Sequence, residues 1–316
     1  MNDIQCLTLK SQYNTGKTQL LKPVIEKYKF KRILFVSYRI SLSVDLMNNF
    51  KYLNFKSYLD KDYKADKLII QIESIQKINN EFIDDYTQQI PSYDLVIIDE
   101  SESVLNQFSS NTFKEAKNCF IFFSEVLKNS KKILFMDGDL GERTFDFVDS
   151  INATKSMHIV NKSIFDKKIY NIINDRNGFI NYLIDDLNNN LNIAIISQSR
   201  RQCDDYKKLL LQKFPNKIIK IYTSLTDDFE KKKDVNIEWK NANVIIYSPT
   251  IEAGVSFDHD NHFNKIYGIL SANSTSQRSY LQMLARIRKV KNNKIIILND
   301  ISFKIILLII MLICLT

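Results

Sequence analysis

Lys17 and the adjacent pair Asp99-Glu100 are the residues whose types and spacing could do chemistry. An ammonium group that meets phosphate, a carboxylate that holds a divalent cation and a second carboxylate that polarises water are the parts of a phosphoanhydride hydrolase. Lys17 lies in Ser11-Gln12-Tyr13-Asn14-Thr15-Gly16-Lys17-Thr18, and the acids close the run Tyr93-Asp94-Leu95-Val96-Ile97-Ile98-Asp99-Glu100-Ser101-Glu102. In such an arrangement the loop around Thr15 and Gly16 aims backbone N–H groups at phosphate oxygens, and Lys17 reaches the β- and γ-phosphates. Thr18 and Asp99 would ligate Mg²⁺, and Glu100 would activate the attacking water. The same acids also read as a strand that ends in solvated carboxylates. Ser11 stands where the phosphate-loop pattern has its first glycine, and Asn14 is a residue that tolerates the left-handed backbone such a loop needs.

These groups need strands that end at one edge. Ile4–Leu9 reads as a strand, with a helix over Gln19–Tyr28. Lys31–Ser37 is a buried strand, Tyr38-Arg39-Ile40-Ser41-Leu42 opens a helix, Lys67–Gln71 is another strand and Glu73–Ile78 begins a further helix. A helical pair over Thr112–Leu127 precedes the strand Lys132–Met136, which runs into Asp137-Gly138-Asp139. Ligands collect beyond the carboxyl ends of such strands. Ser37 and Gln71 share that edge, where hydroxyls, amides and helix N-termini could grip a phosphodiester backbone or serve only as caps.

From Val148 to Lys168 the pattern loosens, which sets a boundary near residue 160. Strands then recur at Asn192–Ile196, Lys217–Tyr222, Val244–Tyr247, Ile266–Ile269 and Lys294–Leu298, with helices over Arg201–Gln212 and Ser276–Val290. The reading is an α/β chain with domains 1–160 and 161–300, each built on a mostly parallel sheet. Residues 301–316 are an apolar tail, too short for a membrane span, which reads as the truncated or frame-disrupted end of a longer protein, or as a packed terminal helix or a weak membrane contact.

A chain of 316 residues with 45% hydrophobic and 25% charged residues excludes wholesale disorder. Lys and Arg number 44 against 36 Asp and Glu, a formal +8 that suits a polyanionic partner. Four isolated cysteines exclude a disulfide framework, and no charged-then-apolar leader opens the chain, so reduced, intracellular surroundings are expected. His259 and His262 lack further ligands for zinc.

Two stretches in the second half match the chemistry of the first. Tyr247-Ser248-Pro249-Thr250-Ile251-Glu252-Ala253-Gly254-Val255-Ser256-Phe257 is a strand end followed by a small polar loop that admits close backbone approach. In Gln277–Lys289, the helical reading places Gln282 and Arg286 on one face. A guanidinium there could act on the γ-phosphate as an arginine finger, or belong to a solvated basic face.

The order Gly16-Lys17-Thr18, Val36-Ser37-Tyr38-Arg39, Asp99-Glu100-Ser101-Glu102, Asp137-Gly138-Asp139, the Tyr247–Phe257 stretch and Gln282-x-x-x-Arg286-x-Arg288 resembles superfamily 2 helicases, most closely the replication origin-binding proteins of herpesviruses and other large DNA viruses. The likeness spans about Ser11 to Asp300. It implies two tandem RecA-like P-loop NTPase domains with ATP in the cleft between them, and an ATP-dependent DNA helicase or translocase acting in replication. By position it implies that Gly254 senses nucleotide and that Gln282 and Arg286 form the sixth helicase motif, with Arg288 or Lys289 as that motif's second basic residue. Ala285 stands where many relatives have glycine. Ser37, Tyr38, Arg39, Gln71 and Thr250 fall in segments that follow a DNA strand. The implied partners are single-stranded or origin duplex DNA and other replication proteins, in the nucleus or a viral replication compartment. Origin recognition in herpesvirus members belongs to a region beyond the core, so a remnant that binds DNA or ATP without turnover is the alternative.

Overall fold

The computed structural model describes residues 3–12, 15–82, 89–162, 168–226, 234–251, 256–271 and 275–300. The chain divides into two compact units, Met1–Ser163 and Ile164–Thr316. In the first, strands β1 (Cys6–Ser11), β2 (Ile33–Ser37), β3 (Lys56–Ser57), β4 (Lys67–Gln71), β5 (Leu95–Asp99), β6 (Ile133–Asp137) and β7 (Ser156–Asn161) form a sheet in the order β3-β4-β2-β5-β6-β1-β7. In the second, β8 (Ile169–Ile173), β9 (Ile193–Ser197), β10 (Ile219–Tyr222), β11 (Val244–Tyr247), β12 (Lys265–Leu270) and β13 (Lys294–Asn299) take the order β10-β11-β9-β12-β13-β8. Every ladder among the described residues is parallel.

Parallel neighbours need crossovers, and helices supply them. They are α1 (Lys17–Tyr28), α2 (Ile40–Phe50), α3 (Gln76–Phe82), α4 (Ser101–Gln107), α5 (Ala116–Lys128) and α6 (Glu142–Ser150) in the first unit, with α7 (Arg176–Asn188), α8 (Arg200–Lys213) and the helix Gln277–Leu284 in the second. Strands β2, β5, β6 and β9 are buried at every position. Cover on both faces is why they read as unbroken apolar runs.

The second unit shows the two faces as separate cores. Ile193, Ile195, Val244 and Ile246 pack with Phe179, Leu183 and Tyr206, while Ala194, Ile196, Ile245 and Tyr247 pack with Trp239, Tyr280 and Met283. Alternate residues of a strand point to opposite faces, so each strand serves both cores. Gly268 in β12 lets the helix Gln277–Leu284 dock closely, because a Cβ built there would overlap the Tyr280 hydroxyl.

In the first unit the strand registers align Ser37 with Gln71, Asp99 with Met136, Lys10 with Asp137 and Ser11 with Asn161. Ser11, Ser37, Gln71, Asp99 and Asp137 therefore end on one sheet edge.

Two sequence expectations that bear on the site change, besides the helical pair expected over Thr112–Leu127, which is the single helix α5. Edge strands β7 and β8 flank the stretch where the pattern loosens, and their partial exposure removes the apolar run that marks the interior strands. The second change concerns the basic helix, which stops at Leu284 rather than continuing to Val290. Ala285 turns the chain, the Arg286 N–H returns to the Met283 carbonyl at 3.1 Å, and Ile287 pairs with Phe257 in a parallel bridge. Gln282 and Arg286 consequently do not share a helical face. Gly254 and the tail 301–316 lie outside the described residues.

Candidate active site

β1 delivers the chain to Ser11, and α1 begins six residues later at Lys17. Gly16 makes the turn with φ 79°, in the left-handed region that glycine adopts without steric cost. The start of α1 carries no side-chain cap and no acid in its first turn, so its N-terminal dipole suits an anion. Lys17 Nζ donates to the carbonyls of Ser11 at 2.5 Å and Gln12 at 3.1 Å, and Thr15 Oγ1 donates to the Gln12 carbonyl at 2.9 Å. The ammonium thus rests on the entry of its own loop.

Asp99 closes β5 and is only 4% exposed. Thr18 Oγ1 donates to Asp99 Oδ2 at 3.1 Å, and the Glu100 N–H donates to Asp99 Oδ1 at 3.0 Å. Burial pushes the Asp99 carboxyl above its ordinary range, against the opposing pull of Lys17 and the Thr18 hydroxyl, while Asp137 adds to the rise. The structure therefore brings together Lys17, Thr18 and Asp99 from two elements 81 positions apart. Glu100 follows directly at φ 54°, a left-handed backbone that non-glycine residues seldom adopt and that recurs at functional sites.

A buried carboxylate raised by desolvation, beside a hydroxyl oxygen, fits Mg²⁺, a hard cation that takes oxygen ligands. Among the described residues no group of three or more His, Cys, Asp or Glu could hold a metal. Thr18 and Asp99 are the residues that would hold Mg²⁺, with phosphate oxygens and water as its other ligands, the usual division for this ion.

Glu102, the third acid of the run, is buried rather than solvated. Its Oε1 accepts from the Gly141 N–H at 3.0 Å, the Thr144 N–H at 3.1 Å and the Thr144 hydroxyl at 2.6 Å. Its own N–H donates to Asp137 Oδ2 at 2.9 Å. Helix α6 has no capping side chain of its own, so Glu102 supplies the acceptor from α4 and braces the end of β5 against the loop after β6. We expect Glu102→Ala to lower stability by about 2–3 kcal/mol, from a lost cap and stranded buried donors. Glu102→Gln, which keeps an acceptor, should cost less. Urea denaturation checks both, and equal midpoints for wild type and Glu102→Ala would remove the brace.

The proposed nucleic-acid residues of the first unit divide into two kinds. Ser37 is fully buried, with Oγ 2.6 Å from Ser43 Oγ and donating to the Ile70 carbonyl at 3.4 Å, and Tyr38 is also buried. Both side chains pack inside the unit, Ser37 as the last residue of the interior strand β2 and Tyr38 directly after it. Arg39 is half-buried, its guanidinium 5.4 Å from the Tyr38 ring centroid. Gln71, also half-buried, donates to the Tyr38 carbonyl at 3.3 Å and to Glu73 Oε2 at 3.1 Å. Ser37 and Tyr38 act as the support that sets Arg39 and Gln71 at the edge.

In the second unit Thr250 is half-buried just after β11, its hydroxyl 3.3 Å from that of Ser248. Gln282 is 1% exposed inside the helix Gln277–Leu284. Arg286 and Arg288 flank the Phe257–Ile287 bridge, and Arg288 Nη1 pairs with Asp258 Oδ1 at 3.3 Å. The bracing of Glu102 and the donor Asn161, which holds the Ser11 hydroxyl at 2.9 Å, escaped the sequence reading. Both are contacts between distant segments, without a local pattern.

A family model described as origin of replication binding protein matches residues 14–167 and 162–305. A protein of Acanthamoeba polyphaga mimivirus, described as a replication origin-binding protein, is 37% identical over 313 residues, covering 93% of this chain and 38% of that protein. A helicase/primase complex protein of African swine fever virus (isolate Warthog/Namibia/Wart80/1980) is 28% identical over 302 residues, covering 92% of this chain and 28% of its own length. The chain thus spans less than two fifths of the length of these curated relatives. Among solved structures, the DEAD-box helicase Mss116 bound to ssRNA and UDP-BeF matches with a TM-score of 0.67 at 11% identity, covering 95% of this chain and 68% of that one. Identity that low speaks to fold alone, and the fold is that of tandem RecA-like helicase domains.

Proposed function

Because the chain belongs to the origin of replication binding protein family, we propose that it is the motor core of a replication protein, hydrolysing ATP to move along DNA. The meeting of Lys17, Thr18 and Asp99 beside Glu100 is the observation that carries this reading.

Lys17 would exchange the carbonyls of Ser11 and Gln12 for the β- and γ-phosphate oxygens, while the turn at Gly16 and the start of α1 hold the phosphate chain. Bound Mg²⁺ supplies positive charge to the phosphates. Glu100 orients a water and takes its proton as the water oxygen attacks the γ-phosphorus and the bond to the ADP oxygen breaks. Asp99 and Glu100 are adjacent and held in different backbone conformations, so one chain segment serves both roles. Arg39, Gln71 and Thr250 would contact phosphodiester oxygens, and the formal +8 favours a polyanion. Closing and opening of the nucleotide site would ratchet the core along the strand.

The helicase/primase complex name of the African swine fever virus relative supports partnership with other replication proteins. Action in the nucleus or in a viral replication compartment follows from the same reading. No helix among the described residues is long and apolar enough to cross a membrane.

The test is ATP hydrolysis measured in parallel with single-stranded DNA, duplex DNA and RNA over a salt series. We expect stimulation by DNA that weakens as salt rises, because phosphate contacts release counterions. Tight nucleotide binding without turnover on any of the three would replace the motor with a nucleotide-binding core.

A further inference from the structure

Ser11 poses a problem that the loop has to solve. It stands at the first-glycine position of the phosphate loop, yet it is only 2% exposed. A buried hydroxyl needs partners. Asn161 Nδ2 donates to Ser11 Oγ at 2.9 Å, Ser11 Oγ donates to Thr15 Oγ1 at 2.7 Å, and Thr15 Oγ1 donates to the Gln12 carbonyl at 2.9 Å. The amide nitrogen can only give and the carbonyl can only accept, so all three protons run one way. Such a chain polarises each of its members.

The relay closes the loop upon itself. It joins residue 11 at the entry to residue 15 at the exit, immediately before the left-handed turn at Gly16. Its anchor comes from outside the loop, because Asn161 is the last residue of β7 and faces Ser11 in the β1–β7 ladder. Lys17 rests on the Ser11 and Gln12 carbonyls, and when phosphate draws the ammonium away the hydroxyl relay still ties Ser11 to Thr15. Residues already tied together before binding lose less freedom on binding.

We infer that Asn161 is a positioning residue that sets the nucleotide affinity of the phosphate loop, acting through Ser11 and Thr15. This rests on the nucleotide reading of the first unit. It adds a determinant outside the phosphate loop, on the edge strand that leads into the second unit.

The experiment measures equilibrium binding of mant-ATP and, without nucleotide, of single-stranded DNA, for wild type, Asn161→Ala, Ser11→Ala and the double variant, with thermal melts alongside. One neutral hydrogen bond predicts a rise of about five-fold in the mant-ATP Kd for each single variant. Because both act on one relay, the double variant should rise no further, whereas independent effects would multiply to about 25-fold. DNA affinity should stay unchanged.

An unchanged mant-ATP Kd in Asn161→Ala, additive losses, or a parallel loss of DNA affinity overturns the inference. Should Asn161→Ala fail to fold, Asn161→Asp is measured in its place. Its carboxylate accepts rather than donates and turns the Ser11 proton away from Thr15, so the same rise is expected and an unchanged Kd overturns the inference. A wild-type protein that binds no mant-ATP removes the nucleotide reading itself, and with it the relay's purpose. That outcome is distinct from a wild type that binds and a variant that binds equally.

Discussion

Lys17→Ala is expected to abolish DNA-stimulated ATP hydrolysis, and Glu100→Gln to lower kcat by about 10²–10⁴-fold while leaving nucleotide bound. The two losses should differ in kind. Lys17 is the cation that would meet the β- and γ-phosphates, so its removal weakens ground-state binding and transition-state charge stabilisation together. The role proposed for Glu100 is on the attacking water, so its amide variant should bind mant-ATP as wild type does and stall before cleavage. Asp99→Asn offers a contrast. It removes a buried charge that desolvation disfavours, so the metal-free protein should melt no lower than wild type, while Mg²⁺-dependent turnover is lost. Steady-state hydrolysis with saturating single-stranded DNA, mant-ATP binding and thermal melts separate the three behaviours. Full activity in both Lys17→Ala and Glu100→Gln would refute the assignment.

What the sequence made legible follows burial. β5 is buried at all five positions, and its run of Leu95-Val96-Ile97-Ile98 into Asp99 announces an interior parallel strand whatever surrounds it. The phosphate loop is legible for a related reason, since Gly16, Lys17 and Thr18 each answer a local requirement of turn, charge or oxygen donor. Partly exposed strands are not. In β7, Ser156, Met157 and His158 are exposed, so no apolar run marks it, and Asn161 at its end gives no hint of its bond to Ser11. Ala285-Arg286-Ile287-Arg288 keeps helical periodicity in the sequence, but pairing of Ile287 with Phe257, 30 positions earlier, overrides it. Glu102 shows the same limit. A carboxylate after two others reads as solvated, and only the fold brings Gly141 and Thr144 to it.

Arg286→Ala is expected to lower kcat by about 10³-fold with little change in nucleotide affinity, the signature of a guanidinium that acts on transition-state charge. Arg286 is half-buried, and its Nε is buried without a hydrogen-bond partner among the described residues. Its charge is felt by the buried Tyr247 hydroxyl, which burial pushes far up and Arg286 draws partly back. That hydroxyl donates to the Met283 carbonyl at 2.8 Å. A buried donor left unmatched costs free energy, and an anionic oxygen would supply the acceptor. Arg288 differs, since Asp258 already holds it at 3.3 Å, so Arg288→Ala should be the milder change. Arg286→Lys should not restore turnover, because an ammonium lacks the planar fork that meets two phosphate oxygens at once. Single-turnover hydrolysis and mant-ATP binding decide the point. Wild-type rates in Arg286→Ala would leave the second unit without a part in hydrolysis and confine the chemistry to Lys17, Asp99 and Glu100.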